Sequence, residues 1–169
     1  GGLDTVLNSL KVENIILSDL PDSMVPNTKT YTDLLEAIVN NSVNLITAES
    51  GNEYKIGEGT LTLLAPLDDY NDQNELSIVS KFEFGKTSFV FTGDAGFESE
   101  KDILLSGADL SADVLKIGHH GSETSTSDEF LSRVNPKISV IQVGQNNSYG
   151  HPRSETLERL SNTEIYRND

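Results

Sequence analysis

Cysteine is absent from this chain of 169 residues, which excludes disulfides and thiolate metal sites. That absence fits an extracytoplasmic location and a cytosolic one equally well. Positive charge is scarce: Lys and Arg number 12 against 27 Asp and Glu, a formal net charge of -15. Such a balance repels nucleic-acid phosphates at long range, so nucleic-acid chemistry would need local basic groups or metal ions. Solubility is the simpler reading of the acidity. The basic residues are also scattered, and no nucleic-acid groove can be drawn from them. No apolar stretch approaches the roughly 20 residues of a membrane helix. No basic segment followed by an apolar one opens the chain as a signal peptide would. Histidine is rare as well, with only three, at positions 119, 120 and 151.

What remains is globular in composition, 36% hydrophobic and 23% charged, in a chain long enough to bury a core. It opens with "GGLDTVLNSLKVENIILSD", a helical pattern over 3–10 without a capping residue, then a short buried strand. Thr30 or Thr32 caps a helix carrying Leu34, Leu35, Ile38 and Val39 on one stripe. "VNLITAE" reads as a strand, "SGNEYKIGEG" as a turn-rich excursion and "TLTLLAPL" as another strand. "LSIVSKFEF" and "TSFVFTGD" are strands joined at Gly85-Lys86, the strongest hairpin signal in the chain. A helix over 97–105 stops at Gly107. From there the order is strand, helix, strand, helix ("DVLKIG", "STSDEFLSRV", "KISVIQVG", "PRSETLERL"), with Pro152 opening the last helix. "TEIYRND" closes as a short strand. The class is α/β with mixed sheets.

Three polar clusters follow apolar runs: "FTGDAG" with Asp94, "GHHGS" with His119 and His120, and "NNSYGHP" with His151. In an open α/β sheet, ligand sites form in the loops after the carboxyl ends of strands. If these strands share a sheet and point the same way, every histidine of the chain and a strand-end Asp gather at one rim. His and Asp are the N/O ligand set of zinc, manganese or iron. Each feature also has a plainer reading. Asp94 could cap the helix beginning at Phe97, and a single His before Pro is usually a solvated loop residue. Neighbouring histidines on a strand point to opposite faces, so one would face the site and the other would hold the loop. Ser125, Thr126 and Ser127 serve as N-cap candidates for the following helix, and Thr126 with Glu129 has the spacing of a capping box.

The strings "FTGDAG", "ADVLKIGHHGSETSTSDEFL", "PKISVIQVGQNNSYGHP" and "ETLERL" together resemble the metallo-β-lactamase superfamily. Within it they resemble the branch found as the C-terminal domain of ComEC-type competence proteins and in free-standing bacterial relatives. "NELSIVSKFEFGKTSFVFTGD" is similar to that branch's pattern of Asn, Ser and an apolar strand, a hairpin and TGD. The match is specific over 72–160 and looser before it. The resemblance implies an αβ/βα sandwich with mixed sheets, residues 1–169 being the C-terminal portion of one hydrolase domain. It implies Asp94 as a metal-bridging ligand and His151 as the last histidine ligand of two divalent ions, zinc or manganese. His120 and His119 take the place of the histidine that assists catalysis, with His120 favoured because Gly121 and Ser122 follow it.

The reaction implied is metal-dependent hydrolysis of a phosphodiester, DNA among the candidates, in an extracytoplasmic or membrane-attached parent. The superfamily's HxHxDH signature is missing from this sequence, which begins where that motif would have ended. The expectation is that the natural polypeptide continues upstream, carries most of the ligands there, and that this chain alone is inactive. The alternative is a module that keeps the fold, binds no metal and acts as a binding or scaffold unit.

Overall fold

The computed structural model describes residues 2–169, and they form two compact units that divide between Ala48 and Glu49. The first unit runs α1 (Leu3–Ser9), β1 (Asn14–Leu17), α2 (Lys29–Asn40) and β2 (Asn44–Thr47), with β1 and β2 paired in parallel. A parallel pair needs a crossover, and α2 provides it. Leu7, Ala37, Ile38 and Val43 form its buried centre. The cap of α2 is Thr28, whose hydroxyl accepts from the Tyr31 amide at 3.4 Å, so the helix starts earlier than Thr30 or Thr32 would allow. Its buried stripe runs through Ala37 and Ile38, whereas Val39 is 75% exposed.

The second unit is a seven-stranded mixed sheet in the order β3 (Glu53–Ile56), β4 (Gly59–Ala65), β5 (Val79–Phe84), β6 (Thr87–Phe91), β7 (Val114–Lys116), β8 (Ile138–Ile141), β9 (Glu164–Arg167). Strands β3 to β6 pair antiparallel, with two-residue turns joining β3 to β4 and β5 to β6 and a longer loop joining β4 to β5, and β6 to β9 pair parallel. The excursion expected around "EYKI" is in fact β3, an edge strand of that hairpin series. Helices α3 (Phe97–Ser106), α4 (Asp128–Val134) and α5 (Ser154–Arg159) supply the crossovers of the parallel half. Ile103, Phe130, Val134 and Leu160 pack with Val90, Leu115 and Ile141 in one core, all essentially inaccessible to solvent. Burying an aromatic side chain such as Phe130 contributes about 1.5–3 kcal/mol.

Alternation along β7 sends Leu115 into that core and Val114 and Lys116 to the opposite face. Phe82, Phe89 and Phe91 share the latter face, with the Phe89 and Phe91 rings stacked 6.3 Å apart. Helix α4 is capped by Ser127, whose hydroxyl accepts from the Phe130 amide at 3.2 Å. Thr126 does not open a capping box, since its backbone sits at φ 57 and its amide donates to Glu100. Pro152 likewise lies ahead of α5, which begins at Ser154 with Arg153 as its N-cap.

Candidate functional site

The parallel strands β6, β7 and β8 are neighbours, so their carboxyl ends lie along one rim of the sheet. The loops after them carry Asp94, the His119–His120 pair and His151. The carboxylate of Asp94 lies 3.7 Å from Nε2 of His120. The His120 and His119 ring centres are 6.5 Å apart, and those of His119 and His151 are 5.7 Å apart. Every histidine of the chain therefore converges on this rim.

Asp94 is not a helix cap. The N-terminus of α3 is held instead by Glu75, which accepts from the Gly96 amide at 3.1 Å and the Ser99 amide at 2.8 Å. Glu75 comes from far back in the chain, which no local capping pattern reveals. The amide of Asp94 donates to the Ser77 hydroxyl at 3.1 Å. The "NELS" stretch is thus scaffolding for the Asp94 turn and α3.

The two histidines do not lie on a strand. Beyond Lys116 the chain enters a turn in which His119 (φ 45, ψ 44) and His120 (φ 55, ψ 21) are both left-handed. Consecutive left-handed residues with β-carbons are strained, and such strain concentrates at functional sites. Alternation no longer applies, and both rings stay near the rim. The turn is held by its neighbours: the His119 amide donates to the Gly93 carbonyl at 3.1 Å. Gly121 (φ 84) leaves no room for a side chain, because a Cβ there would meet Pro152 at 2.5 Å. Ser125 donates to the Gly118 carbonyl at 2.9 Å, and Arg159 donates to the Ser125 carbonyl at 3.0 Å.

The two rings differ chemically. His120 Nδ1 sits 2.6 Å from the Gln142 carbonyl oxygen. A carbonyl only accepts, so Nδ1 carries a proton, and Nε2 is the ring nitrogen turned towards Asp94. His119 instead lines a cleft of about 470 Å³ with Asp94, Asp72, Glu75, Glu98 and Phe97. No Lys or Arg is among the residues lining that cleft. Asn147 braces the His151 loop, accepting from the His151 amide at 3.0 Å and donating to its carbonyl at 2.7 Å. Tyr149 stacks on the His151 ring at 5.8 Å. Nδ1 of His151 is buried without a hydrogen-bond partner among the described residues. Burial holds the pKa of that ring below the usual histidine value, and the charges of His119 and Arg153 push the same way. A neutral imidazole with a free nitrogen is the ligand form of histidine.

The donor set fits part of a cation site. A carboxylate oxygen and an imidazole nitrogen face each other, an arrangement that holds a proton or a cation between them. Their separation lies within the reach of two ligands on one ion, whose bonds run about 2.0–2.2 Å each. Among the described residues no group of three His, Asp or Glu side chains is arranged to hold a metal, so the set is incomplete by itself. Sequence reasoning overlooked Lys116, which donates to the Gly93 carbonyl at 2.9 Å directly behind Asp94.

The metallo-β-lactamase fold protein YhfI from Bacillus subtilis superposes on 99% of this chain and 80% of its own, with a TM-score of 0.56 and 12% identity. The fold is that of the metallo-β-lactamases. The same metallo-β-lactamase fold accounts for the match to a possible metal-dependent hydrolase from Veillonella parvula. That match covers 98% of this chain and 68% of the other, with a TM-score of 0.53 and 14% identity. At these identities the likeness is one of fold. In sequence, the chain is similar to ComE operon protein 3 of Bacillus subtilis (strain 168), 31% identical over 166 residues. That alignment covers 98% of this chain and 21% of the relative, in keeping with the ComEC-type resemblance. The chain spans between 11% and 21% of the length of the curated relatives it matches. No protein-family model matches it. No helix among the described residues is long and apolar enough to cross a membrane.

Proposed function

We propose that residues 1–169 are the C-terminal portion of a single metallo-β-lactamase-fold domain, and that the complete domain hydrolyses a phosphodiester at the rim carrying Asp94. The observation that carries this reading is the facing pair, the Asp94 carboxylate and His120 Nε2, 3.7 Å apart and both partly open to solvent. Asp94 and His151 are assigned as ligands of two divalent ions, zinc or manganese, whose remaining ligands this sequence does not contain. Bound there, such ions supply a water of lowered pKa and offset charge on the phosphoryl oxygens.

Among the chain's own groups, His120 is the acid–base residue. Its Nδ1 proton is held by the Gln142 carbonyl, so Nε2 is the atom that accepts a proton and returns it. His119 acts on the substrate from the side of the acidic cleft. Carboxylates without a lysine or arginine line that cleft, so a phosphodiester enters only where cations offset them. Phosphodiester chemistry and metal dependence therefore stand together in this reading. DNA is the leading substrate only through the resemblance to ComEC-type competence proteins, and the parent protein is extracytoplasmic or membrane-attached. The 169-residue chain alone is inactive.

One observation favours a second reading, a binding or scaffold module without ions: no three ligating side chains come together among the described residues. Metal analysis of the natural polypeptide, with hydrolysis of bis-p-nitrophenyl phosphate and single-stranded DNA, separates the two. Hydrolysis that needs zinc or manganese and disappears in Asp94→Ala supports the enzyme. A polypeptide that binds no ion and cleaves neither substrate supports the scaffold.

A further inference from the structure

Lys116 occupies an expensive position. It stands on β7 between Phe91 of β6 and Val140 of β8, on the sheet face opposite the main core. An ammonium group among apolar neighbours is poorly solvated, and burial pulls its pKa below the usual lysine value, with the Asp94 charge opposing. An apolar residue there would fit the surroundings better. Instead the side chain reaches past the strand end and donates to the Gly93 carbonyl at 2.9 Å.

That carbonyl is a junction. It also accepts the His119 amide at 3.1 Å, so both lone pairs of the oxygen are engaged, one by each donor. Across the same peptide plane the Asp94 amide points the other way, to the Ser77 hydroxyl at 3.1 Å. The Gly93–Asp94 peptide is therefore held at both ends, and its orientation fixes where the Asp94 side chain leaves the backbone. Gly93 itself is left-handed (φ 56), a region that glycine enters freely, so these bonds rather than its own sterics select the orientation of the peptide.

We propose that Lys116 is a positioning residue: its ammonium clamps the Gly93–Asp94 peptide and ties it to the His119–His120 turn, so that Asp94 and His120 face each other. The functional weight of the clamp rests on the reading of Asp94 as a metal ligand, but its existence does not.

The test uses the 169-residue chain without metal. Lys116→Met keeps side-chain length and removes the donor. Amide hydrogen exchange followed by NMR should then accelerate about 10-fold or more at His119 and Asp94. The Ile117 amide, bonded to the Val140 carbonyl at 2.9 Å, reports on the sheet and should not change. The melting temperature should stay level or rise, which a merely structural lysine would not allow. Because the chain has no cysteine, Lys116→Cys can be alkylated with 2-bromoethylamine at that site alone, restoring an ammonium of nearly the same reach. Recovery of slow exchange at His119 after alkylation supports the clamp. Unchanged His119 exchange in Lys116→Met, or acceleration that alkylation fails to reverse, overturns it. Neither result depends on metal, so failure of the ligand assignment for Asp94 is read separately, from metal titration.

Discussion

The Asp94 carboxylate and Nε2 of His120 face each other across 3.7 Å, and both side chains are partly open to solvent, at 41% and 49% exposure. Removing the carboxylate should therefore cost the fold little, because it is partly open to solvent and Glu75, not Asp94, caps α3. Asp94→Ala should unfold within about 0.5 kcal/mol of the parent, as surface substitutions do. In calorimetric titration with zinc or manganese the chain should bind weakly or not at all, since the donor set is incomplete among the described residues. Tight stoichiometric binding lost in Asp94→Ala would show instead that these residues make a complete site.

The two neighbouring histidines should separate by function. In the natural polypeptide, His120→Ala should lower kcat about 10²-fold, the usual range for an acid–base group, with metal content intact. Both residues are left-handed, at φ 45 and 55, so His120→Gly should fold as well as the parent or better while losing the same activity. His119→Ala should weaken substrate binding more than turnover, because that ring lines the acidic cleft while His120 is the ring 3.7 Å from the Asp94 carboxylate. Steady-state kinetics with metal analysis decides. Equal losses in both variants, each with loss of metal, would make both histidines ligands.

The rim was legible because β6, β7 and β8 are short apolar runs that each end in a chemically loaded loop. Their parallel adjacency, which sequence could state only as a condition, brings the loops together. The left-handed turn was not legible. Nothing in "HH" calls for positive φ; it follows from the His119 bond to Gly93 and from Gly121 packed against Pro152. Strand β3 was hidden because an edge strand needs no apolar run, and Glu53, Lys55 and Ile56 are all exposed. Glu75 and Lys116 were missed for one shared reason. Each acts on backbone that is distant in sequence, and only the fold shows the pairing.

Gly121 should tolerate no side chain. Alanine there would carry a left-handed backbone (φ 84) and set its Cβ 2.5 Å from that of Pro152, on the loop that bears His151. Strain and overpacking together should cost about 2–4 kcal/mol in urea denaturation. Gly144→Ala is the internal control, with nothing within 4 Å of its added Cβ and no positive φ, and should be near neutral. Comparable losses at both positions would show that the packing of Gly121 on Pro152 is unimportant.

Lys81 and Asp109 give a pH signature away from the rim. The Lys81 side chain is 6% exposed, and its ammonium lies 2.7 Å from the Asp109 carboxylate. The hydrogen bond from Lys81, with further donation from Ser111, holds the Asp109 pKa down at about 2, from an ordinary 3.8. A carboxylate depressed in the folded state contributes stability that is present above its unfolded pKa and lost as pH falls through the folded one. The window is therefore about 4 down to about 2. Asp109 is largely exposed, so screening keeps the contribution modest, about 1 kcal/mol at pH 7. Asp109→Asn should be less stable than the parent by that amount at pH 7, and the difference should begin to shrink once the pH drops below about 4. Paired urea denaturation curves at pH 7, 4 and 3 measure it. A difference that holds constant down to pH 3 would mean that the charge on Asp109 contributes nothing and that the loss in Asp109→Asn has another source.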